Sequence, residues 1–324
     1  METLSAETAL APTARLSELS VVDSIASFLR EVASAGALQL PPLLVGSLVG
    51  GDGRYRVERV LGRGGMGTVY AAHDTLLDRK VALKILDRAA DADRHDSMLR
   101  EARIAAGLDH ERIARVYDAG RHESAPFVAM ELVRGTTLRE WVKTHLPTPT
   151  EVVLIAAQIA EGLAVLHAAG VVHRDLKPEN VMLTERGGLK LLDFGLARHA
   201  RLAEPTPTIE LPEGRGDTLS VISGTPGYMA PEQCLGKSCD ARADVFAFGV
   251  LLYELVVGRR PFSGQNAREI LAATLTQRAD CSGSPWQAVP EELRAVAERA
   301  LSADPCARYL HGAALSAALA PLAS

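Results

Sequence analysis

Two carboxylates and one amide are spaced so that they can meet at a single site. Asp175 and Asn180 lie in the segment HRDLKPEN, and Asp193 follows the strand-like run LKLL further along the chain. Hard divalent cations such as Mg²⁺ prefer oxygen ligands and usually keep waters and substrate phosphates, so Asn180 and Asp193 suffice as protein ligands. Asp175 then remains available for another role.

A glycine-rich segment precedes these residues. The run GRGGMGTV, residues 62–69, fits the pattern G-x-G-x-x-G-x-V and lies between two strand-like runs instead of between a strand and a helix. That context argues against a dinucleotide-binding fold. Glycine lets backbone N–H groups approach phosphates closely because no Cβ intervenes. Since glycine-rich hairpins are common, the pattern by itself is weak.

A lysine in the middle of an apolar strand adds a positive charge. Lys84 ends the run VALK, and burial of its ammonium group is costly unless the charge is paired. Glu101, in the helical stretch LREAR, is the candidate partner, and the pair could orient Lys84 toward phosphate oxygens. Taken alone, the two residues are better explained by a lysine that reaches the surface and a solvated glutamate.

The elements that must position these residues follow from the hydrophobic pattern. The runs YRVERVLG, GTVYAAHD, KVALKIL, RVYDAGRH and PFVAMEL predict a five-stranded antiparallel sheet, and residues 96–108 predict one helix beside it. Thr148, Pro149 and Glu151 supply the N-cap, first residue and capping-box acid of a helix that ends at Gly170, directly before VVHRDLKPEN. Because this helix is apolar on nearly all sides, we expect it to run through a core.

Further helices are predicted within DVFAFGVLLYELVVG, AREILAATLTQ and EELRAVAERALSA. Residues 199–223, rich in Pro, Gly and Thr, predict a long mobile loop. At the other end of the chain, an apolar stripe predicts an amphipathic helix over residues 16–35, and the Pro and Gly residues of 41–53 predict a linker. This helix either docks on its own domain or serves as a surface for a homodimer or a regulatory partner.

The composition excludes several classes of protein. With 324 residues, 47% of them hydrophobic, a net charge of −5 and a pI near 6.0, the chain is globular and gives no reason to expect nucleic-acid binding. Cys234 and Cys239 lack a second Cys or His pair at zinc-site spacing, so we expect ordinary thiols in a reducing cytosol. Neither a secretory signal nor an apolar run near the start long enough to cross a bilayer is evident. We therefore expect a cytoplasmic protein without a membrane partner.

The combination of motifs resembles the bacterial members of the eukaryotic-type serine/threonine protein kinase family. Residues 55–318 contain, in the family's order, GRGGMGTV, VALK, the helix glutamate, HRDLKPEN, DFG, GTPGYMAPE, DVFAFG and a late arginine in DPCAR. The resemblance implies an α+β, bilobal kinase fold, with a small antiparallel N-lobe over 55–133 and a mainly helical C-lobe over 134–318. The activation segment is then 193–232, and residues 1–50 form an N-terminal extension.

The resemblance also implies a role for each site residue. Asp175 accepts the proton of the attacking hydroxyl, and Lys177 steadies the transferring phosphoryl group. Asn180 and Asp193 hold Mg²⁺, and Lys84, kept in place by the helix glutamate, binds the α and β phosphates of ATP. The residues implied in ATP binding are Leu61, Gly62, Gly64, Gly65, Gly67, Val69, Ala82, Lys84, Glu131, Val133 and Leu183, with Met130 as the gatekeeper.

Other motif residues are implied in architecture and regulation. Glu232 and Arg308 resemble the buried ion pair that fastens the activation segment to the large lobe, and Asp244 resembles the helix aspartate that holds the catalytic-loop backbone. Arg174 belongs in the family to a basic pocket, which a phosphate on the activation segment can pair with. The candidate phosphosites are Thr218, Ser220 and Ser223.

The sequence also indicates the substrate class. Lys177 followed by Pro178 is the pattern of kinases that act on serine and threonine, and the resemblance places the Thr225 hydroxyl near Asp175 and Lys177. We therefore expect ATP-dependent phosphorylation of protein serine and threonine hydroxyls, with autophosphorylation of the activation loop. Small-molecule phosphotransferases share the catalytic Asp and Asn but lack the APE segment. The other alternative is a pseudokinase scaffold, which usually lacks the lysine or one of the aspartates that are present here.

Overall fold

The structure, a computed structural model, describes residues 43–64, 67–86, 102–123, 125–194 and 225–323. All of these residues belong to the unit Ala37–Ser324. Several sequence predictions fall outside the described residues: the helix over 16–35, the loop over 199–223, Gly65, Glu101, Thr218, Ser220 and Ser223.

The first half of the described chain folds into a small antiparallel sheet. Its strands are β1 Leu48–Val49, β2 Tyr55–Gly64, β3 Gly67–Asp74, β4 Arg79–Leu86, β5 Val116–His122 and β6 Ala125–Glu131. They lie in the order β1-β2-β3-β4-β6-β5, and each neighbouring pair is antiparallel. The five predicted strands are confirmed.

The sheet has one strand more than the sequence predicted. β1 pairs with β2, with Val49 opposite Tyr55, in a segment predicted to be a linker. Both residues are buried, so this short strand covers an apolar edge of the sheet and the linker prediction is wrong there. A two-residue strand is too short to show the period-two alternation on which a strand prediction depends.

The glycine-rich segment forms the hairpin end of β2 and β3. Gly62 lies opposite Val69, and Gly64 lies opposite Gly67. Gly67 has a φ of +139°, and a Cβ at this position would lie 2.1 Å from the carbonyl oxygen of Ile85. Only glycine fits here, because the backbones of β3 and β4 approach too closely for a side chain.

The second half of the chain is mainly helical and carries a second small sheet. Its strands are β7 Gly135–Thr137, β8 Val181–Thr184 and β9 Leu189–Leu191. The helices are α1 Leu138–Thr144, α2 Pro149–Ala168, α3 Pro231–Cys234, α4 Ala241–Val257, α5 Ala267–Thr276, α6 Ser284–Gln287, α7 Glu291–Ala300 and α8 Gly312–Leu319. The predicted helices α2, α4, α5 and α7 are confirmed. Residues 102–106 are the described part of the helix predicted beside the first sheet.

Helix α2 begins as the sequence predicts. The N–H of Glu151 donates to the Thr148 hydroxyl at 3.3 Å, and the Glu151 carboxylate accepts from the N–H of Thr148 at 2.8 Å. Among the described residues, α2 is the one helix with the length and apolar composition of a membrane span, and half of that apolar stretch is buried inside the structure. Its residues from Val152 to Leu166 pack into the core of the large lobe, which accounts for the composition.

A buried ion pair joins the end of the activation segment to a late part of the chain. Arg308 donates to the two carboxylate oxygens of Glu232 at 2.7 and 2.9 Å, and its guanidinium carbon lies 4.9 Å from the centroid of the Phe246 ring on α4. The Arg308 side chain is fully buried, and that of Glu232 is 10% exposed. Arg308 also donates to the carbonyl oxygens of Ser302 and Ala303, so the pair is embedded in a hydrogen-bonded network.

Breaking this pair should destabilise the large lobe. We expect Arg308→Met to lower the free energy of unfolding by about 3–5 kcal/mol, because the Glu232 carboxylate is then buried without its partner. Urea unfolding measures the loss. The matched control is the double variant Glu232→Leu/Arg308→Met, since replacing both partners by apolar groups is often nearly neutral. An equal loss in the single and double variants would contradict a dominant role for the charge pair.

Candidate active site

A carboxylate on α4 fixes the backbone of the loop that carries HRDLKPEN. Asp244 is 1% exposed and accepts the N–H of His173 at 2.6 Å and the N–H of Arg174 at 2.7 Å. His167 Nε2 lies 2.8 Å from the same carboxylate, and His167 Nδ1 accepts the N–H of Gly312, so Nε2 carries the proton. Burial by itself raises the pKa of Asp244, but the hydrogen bonds it accepts from His167 and from the backbone outweigh this and hold the pKa below its usual range.

Two residues of the site have a left-handed backbone. The φ angle is +64° at Arg174 and +54° at Asp193, where residues other than glycine are uncommon. Such a conformation costs on the order of 1–3 kcal/mol and persists only where the surroundings enforce it. At Arg174 the enforcing contact is the bond from its N–H to Asp244.

The carboxylate of Asp175 is held by surrounding side chains. Lys177 Nζ donates to Oδ2 at 2.8 Å, and the Thr225 hydroxyl donates to Oδ1 at 2.8 Å. Lys177 Nζ also lies 2.6 Å from the Thr225 hydroxyl oxygen, which completes a triangle of three polar groups. The side chains of Asp175 and Lys177 are 14% and 20% exposed, so one side of the triangle is open to solvent. This geometry confirms the predicted position of Thr225.

The backbone places Asn180 and Asp193, the predicted magnesium ligands, near each other. The N–H of Leu192 donates to the Asn180 carbonyl oxygen at 2.8 Å, which places Asp193 next to the turn that ends at Asn180. Asn180 uses its side-chain NH₂ group to donate to the Asp175 carbonyl oxygen at 2.8 Å. Its side-chain oxygen is therefore the atom that suits a cation. One amide oxygen and one carboxylate form a donor set that fits Mg²⁺.

Lys84 contacts a carboxylate that the sequence did not pair it with. It is 9% exposed on β4, and its Nζ lies 3.0 Å from Oδ2 of Asp193. The predicted partner, Glu101, lies outside the described residues, so that pair remains a prediction. The contact between Lys84 and Asp193 connects the small sheet to the large lobe at the site.

The residues predicted to surround the nucleotide base lie on adjoining strands. Ala82 is opposite Met130 of β6, and Val69 lies on the neighbouring strand β3. The N–H of Glu131 already donates to the carbonyl oxygen of Arg115 at 2.8 Å, so its own carbonyl oxygen is the group that suits the edge of the base. Because the Glu131 N–H is already bonded, any contact of Glu131 with the base should be made by its carbonyl oxygen.

Three further residues predicted to bind ATP lie in both lobes and in the connection between them. Leu61 lies on β2 and is 38% exposed, and Leu183 lies on β8 and packs against the core of the large lobe. Val133 follows β6 in the connection that leads to β7. These placements agree with a base between the lobes, although their role in binding it remains a prediction.

Sequence reasoning missed a charged cluster beside the catalytic loop. Arg139 on α1 contacts Glu179, Tyr228 and Glu254, which belong to three separate segments. Glu179 and Tyr228 lie inside the motifs HRDLKPEN and GTPGYMAPE but received no role. Nothing in the sequence around Arg139 marks it, because its three partners are 40 or more residues away.

A small antiparallel sheet joined to a helical lobe, with a lysine, two aspartates and an asparagine where they meet, defines a two-lobed phosphotransferase. The family model described as protein kinase domain matches residues 55–318. The chain belongs to this family, whose members use ATP.

Bacterial relatives agree with this assignment. Serine/threonine-protein kinase PknL of Mycobacterium tuberculosis is 38% identical over 275 residues, which are 84% of this chain and 66% of the relative. Serine/threonine-protein kinase PrkC of Bacillus subtilis is 37% identical over 271 residues, 82% of this chain and 40% of the relative. The chain thus spans about two thirds of the first relative and less than half of the second.

A solved structure agrees on the fold. The crystal structure of a point mutant of the Mycobacterium tuberculosis PknI kinase domain matches with a TM-score of 0.66 and 26% identity. The match covers 88% of this chain and all of that chain. The bilobal kinase fold and the bacterial serine/threonine kinase resemblance expected from the sequence are confirmed.

The buried imidazole of His173 should make stability depend on pH. Burial lowers the pKa of His173 below its ordinary value of about 6.5. As the pH falls below that value, the unfolded chain takes up a proton that the folded protein resists, so the contribution of His173 is complete above pH 6.5 and declines below it. We expect the free energy of unfolding in urea to fall between pH 7.5 and 5.5, with up to roughly 1 kcal/mol due to this residue.

Two substitutions distinguish the contribution of His173 to the pH dependence from that of the other histidines. His173→Phe should show a smaller loss between the two pH values than the wild type, whatever its absolute stability. His122→Phe, at a partly exposed position on β5, is the control. An equal pH-dependent loss in wild type and His173→Phe would contradict the assignment.

Proposed function

We propose that this protein transfers the γ-phosphoryl group of ATP to serine and threonine hydroxyls of proteins. The observation that carries the proposal is the triangle of Asp175, Lys177 and Thr225. In it a carboxylate and an ammonium group both contact one threonine hydroxyl, at 2.8 and 2.6 Å. The site is therefore suited to an aliphatic hydroxyl, and the names of the bacterial relatives support the same substrate class.

The side chains of the site divide the reaction between them. The acceptor oxygen forms a bond to the γ-phosphorus while the bond to the β-phosphate oxygen breaks, and Asp175 takes the hydroxyl proton. Because the transferring group spreads its negative charge over oxygen atoms, catalysis depends on positioning and positive charge. Lys177 offsets charge on the phosphoryl group, and Lys84 binds the α and β phosphates.

Asn180 and Asp193 would hold the Mg²⁺ ion that accompanies ATP. When bound, the ion neutralises charge on the phosphate oxygens. Lys84 lies 3.0 Å from the Asp193 carboxylate and so keeps it beside the place where the phosphates bind. The alternative of a silent pseudokinase gains no support here, because Lys84, Asp175 and Asp193 are all present.

Replacing the base should remove most of the activity. We expect Asp175→Asn to lower kcat about 10²–10⁴-fold, because an amide cannot accept the hydroxyl proton. ADP release in the presence of a generic protein substrate measures the change. Asp78→Asn, at a site whose side chain is 94% exposed between β3 and β4, is the matched control and should behave as wild type. Equal rates for wild type and Asp175→Asn would rule out this role for Asp175.

We also propose that the activation segment autophosphorylates on Thr218, Ser220 or Ser223. A phosphate brings about −1.5 to −2 charges and three acceptor oxygens, which a guanidinium binds well. Arg174 directly precedes the base, and its backbone is fixed by Asp244. A phosphate paired with Arg174 would thereby connect the activation segment to the catalytic loop.

Mass spectrometry after incubation with ATP and Mg²⁺ tests this switch. We expect phosphate within residues 199–225 of the wild type and none in Asp175→Asn, because the protein's own site adds it. No phosphate in that range of the wild type would contradict the proposal. Phosphate in both proteins would assign the modification to another kinase.

The cellular setting is a proposal as well. The cysteines Cys234, Cys239, Cys281 and Cys306 are free thiols, which suits a reducing cytoplasm. We further propose that the helix predicted over residues 16–35 either docks on its own domain or binds a second copy of the chain or a regulatory partner. The mass in solution of the chain with and without residues 1–36 tests for a homodimer, and the shortened chain still contains the residues of β1.

A further inference from the structure

We propose that Arg139 and Arg260 are positioning residues that together hold the segment Thr225–Tyr228 against the catalytic base. We call this pair the two-arginine clamp. The inference rests on the proposed function, since the held segment supplies the threonine that contacts Asp175.

Arg139 connects three parts of the large lobe. Its Nε donates to Glu179 at 2.8 Å, one Nη donates to Glu254 at 2.7 Å, and the other Nη donates to the Tyr228 hydroxyl. The Tyr228 hydroxyl in turn donates to the second carboxylate oxygen of Glu254. One guanidinium therefore joins the catalytic loop, the end of the activation segment and the last turn of α4.

Burial makes these contacts effective. The side chains of Arg139 and Glu254 are 25% and 13% exposed, and Tyr228 is buried. Burial raises the pKa of the Tyr228 phenol, and the Glu254 carboxylate raises it further, so the hydroxyl stays protonated and continues to donate. Hydrogen bonds that involve a charged group in a poorly solvated place are stronger than those between exposed neutral groups.

Arg260 holds the same segment through its backbone. One Nη donates to the carbonyl oxygen of Pro226 at 2.9 Å, and the guanidinium carbon lies 5.8 Å from the centroid of the Tyr228 ring. Gly227 has a φ of +95°, and a Cβ at this position would lie 2.2 Å from the Arg260 guanidinium. The guanidinium therefore lies directly against the backbone of Gly227, whose left-handed φ favours glycine.

A turn transmits the position of Tyr228 to Thr225. The N–H of Tyr228 donates to the carbonyl oxygen of Thr225 at 3.1 Å. Thr225 then contacts Asp175 and Lys177 through its hydroxyl. Because a hydrogen bond weakens steeply with distance and angle, a shift of about 1 Å in this segment is enough to remove the Thr225 hydroxyl from the base.

Kinetics with a protein substrate test whether Arg139 acts through Tyr228. We expect Arg139→Ala and Tyr228→Phe each to lower kcat roughly tenfold or more, with the KM for ATP unchanged, because neither residue contacts the predicted nucleotide site. The double variant should be no worse than the more impaired single variant, since both changes remove one shared contact. Additive losses, or a raised KM for ATP, would overturn the proposal.

Matched variants exclude a general loss of stability. Arg112 Nε lies 2.8 Å from a Glu161 carboxylate oxygen, and the Arg112 side chain is 17% exposed. Arg112→Ala breaks this ion pair, and we expect it to leave kcat unchanged. Millimolar guanidinium should restore part of the activity of Arg139→Ala by binding between Glu179 and Glu254. No rescue in Arg139→Ala would count against the clamp.

Hydrogen exchange tests the clamp without catalysis. We expect faster exchange of the amides of residues 225–229 in Arg139→Ala and in Arg260→Ala than in the wild type and Arg112→Ala. Unchanged exchange in both clamp variants would overturn the proposal even if the protein proves active. If the wild type phosphorylates no protein substrate but the exchange differs as expected, the proposed function fails and the clamp stands as a structural device.

Discussion

The site depends on one buried carboxylate. Asp244 accepts the backbone N–H groups of His173 and Arg174 and the imidazole N–H of His167. Without it, two backbone donors would be buried unpaired, and each such group costs about 1–3 kcal/mol. Because Asp244 lies on a helix whose residues are mostly buried, the loop that carries Asp175 is held by the core of the large lobe.

Helix α4 sets the distances between the functional parts of that lobe. Asp244 near its start holds the catalytic loop, Phe246 lies against the Arg308 guanidinium, and Glu254 near its end binds Arg139 and Tyr228. An α-helix rises 1.5 Å per residue, so these contacts are spread over about 15 Å of one rigid element. The activation segment is therefore fixed, from Thr225 to Glu232, by the same helix that fixes the base.

Predictions from local sequence patterns succeeded where the interacting residues are close in the chain and missed contacts between residues that are far apart. The capping box of Thr148 and Glu151 involves neighbouring residues, so the sequence shows it directly. The strands after Tyr55 are long enough to show their periodicity, whereas β1 has two residues and does not. Lys84 was expected to need a negative partner because a buried ammonium group does, but its contact with Asp193 joins residues from different lobes and no local pattern marks it.

The sequence by itself determined the candidate catalytic groups, the family and most secondary structure, because phosphoryl transfer requires particular residue types at fixed spacings and helices and strands leave periodic patterns. Only the tertiary structure decided which atoms meet. It assigned the Glu131 N–H to Arg115, the Asn180 amide group to the Asp175 carbonyl, and the carboxylates of Glu179 and Glu254 to Arg139. These contacts join residues that are distant in the chain, and their partners are chosen by packing and burial, which act on the folded whole.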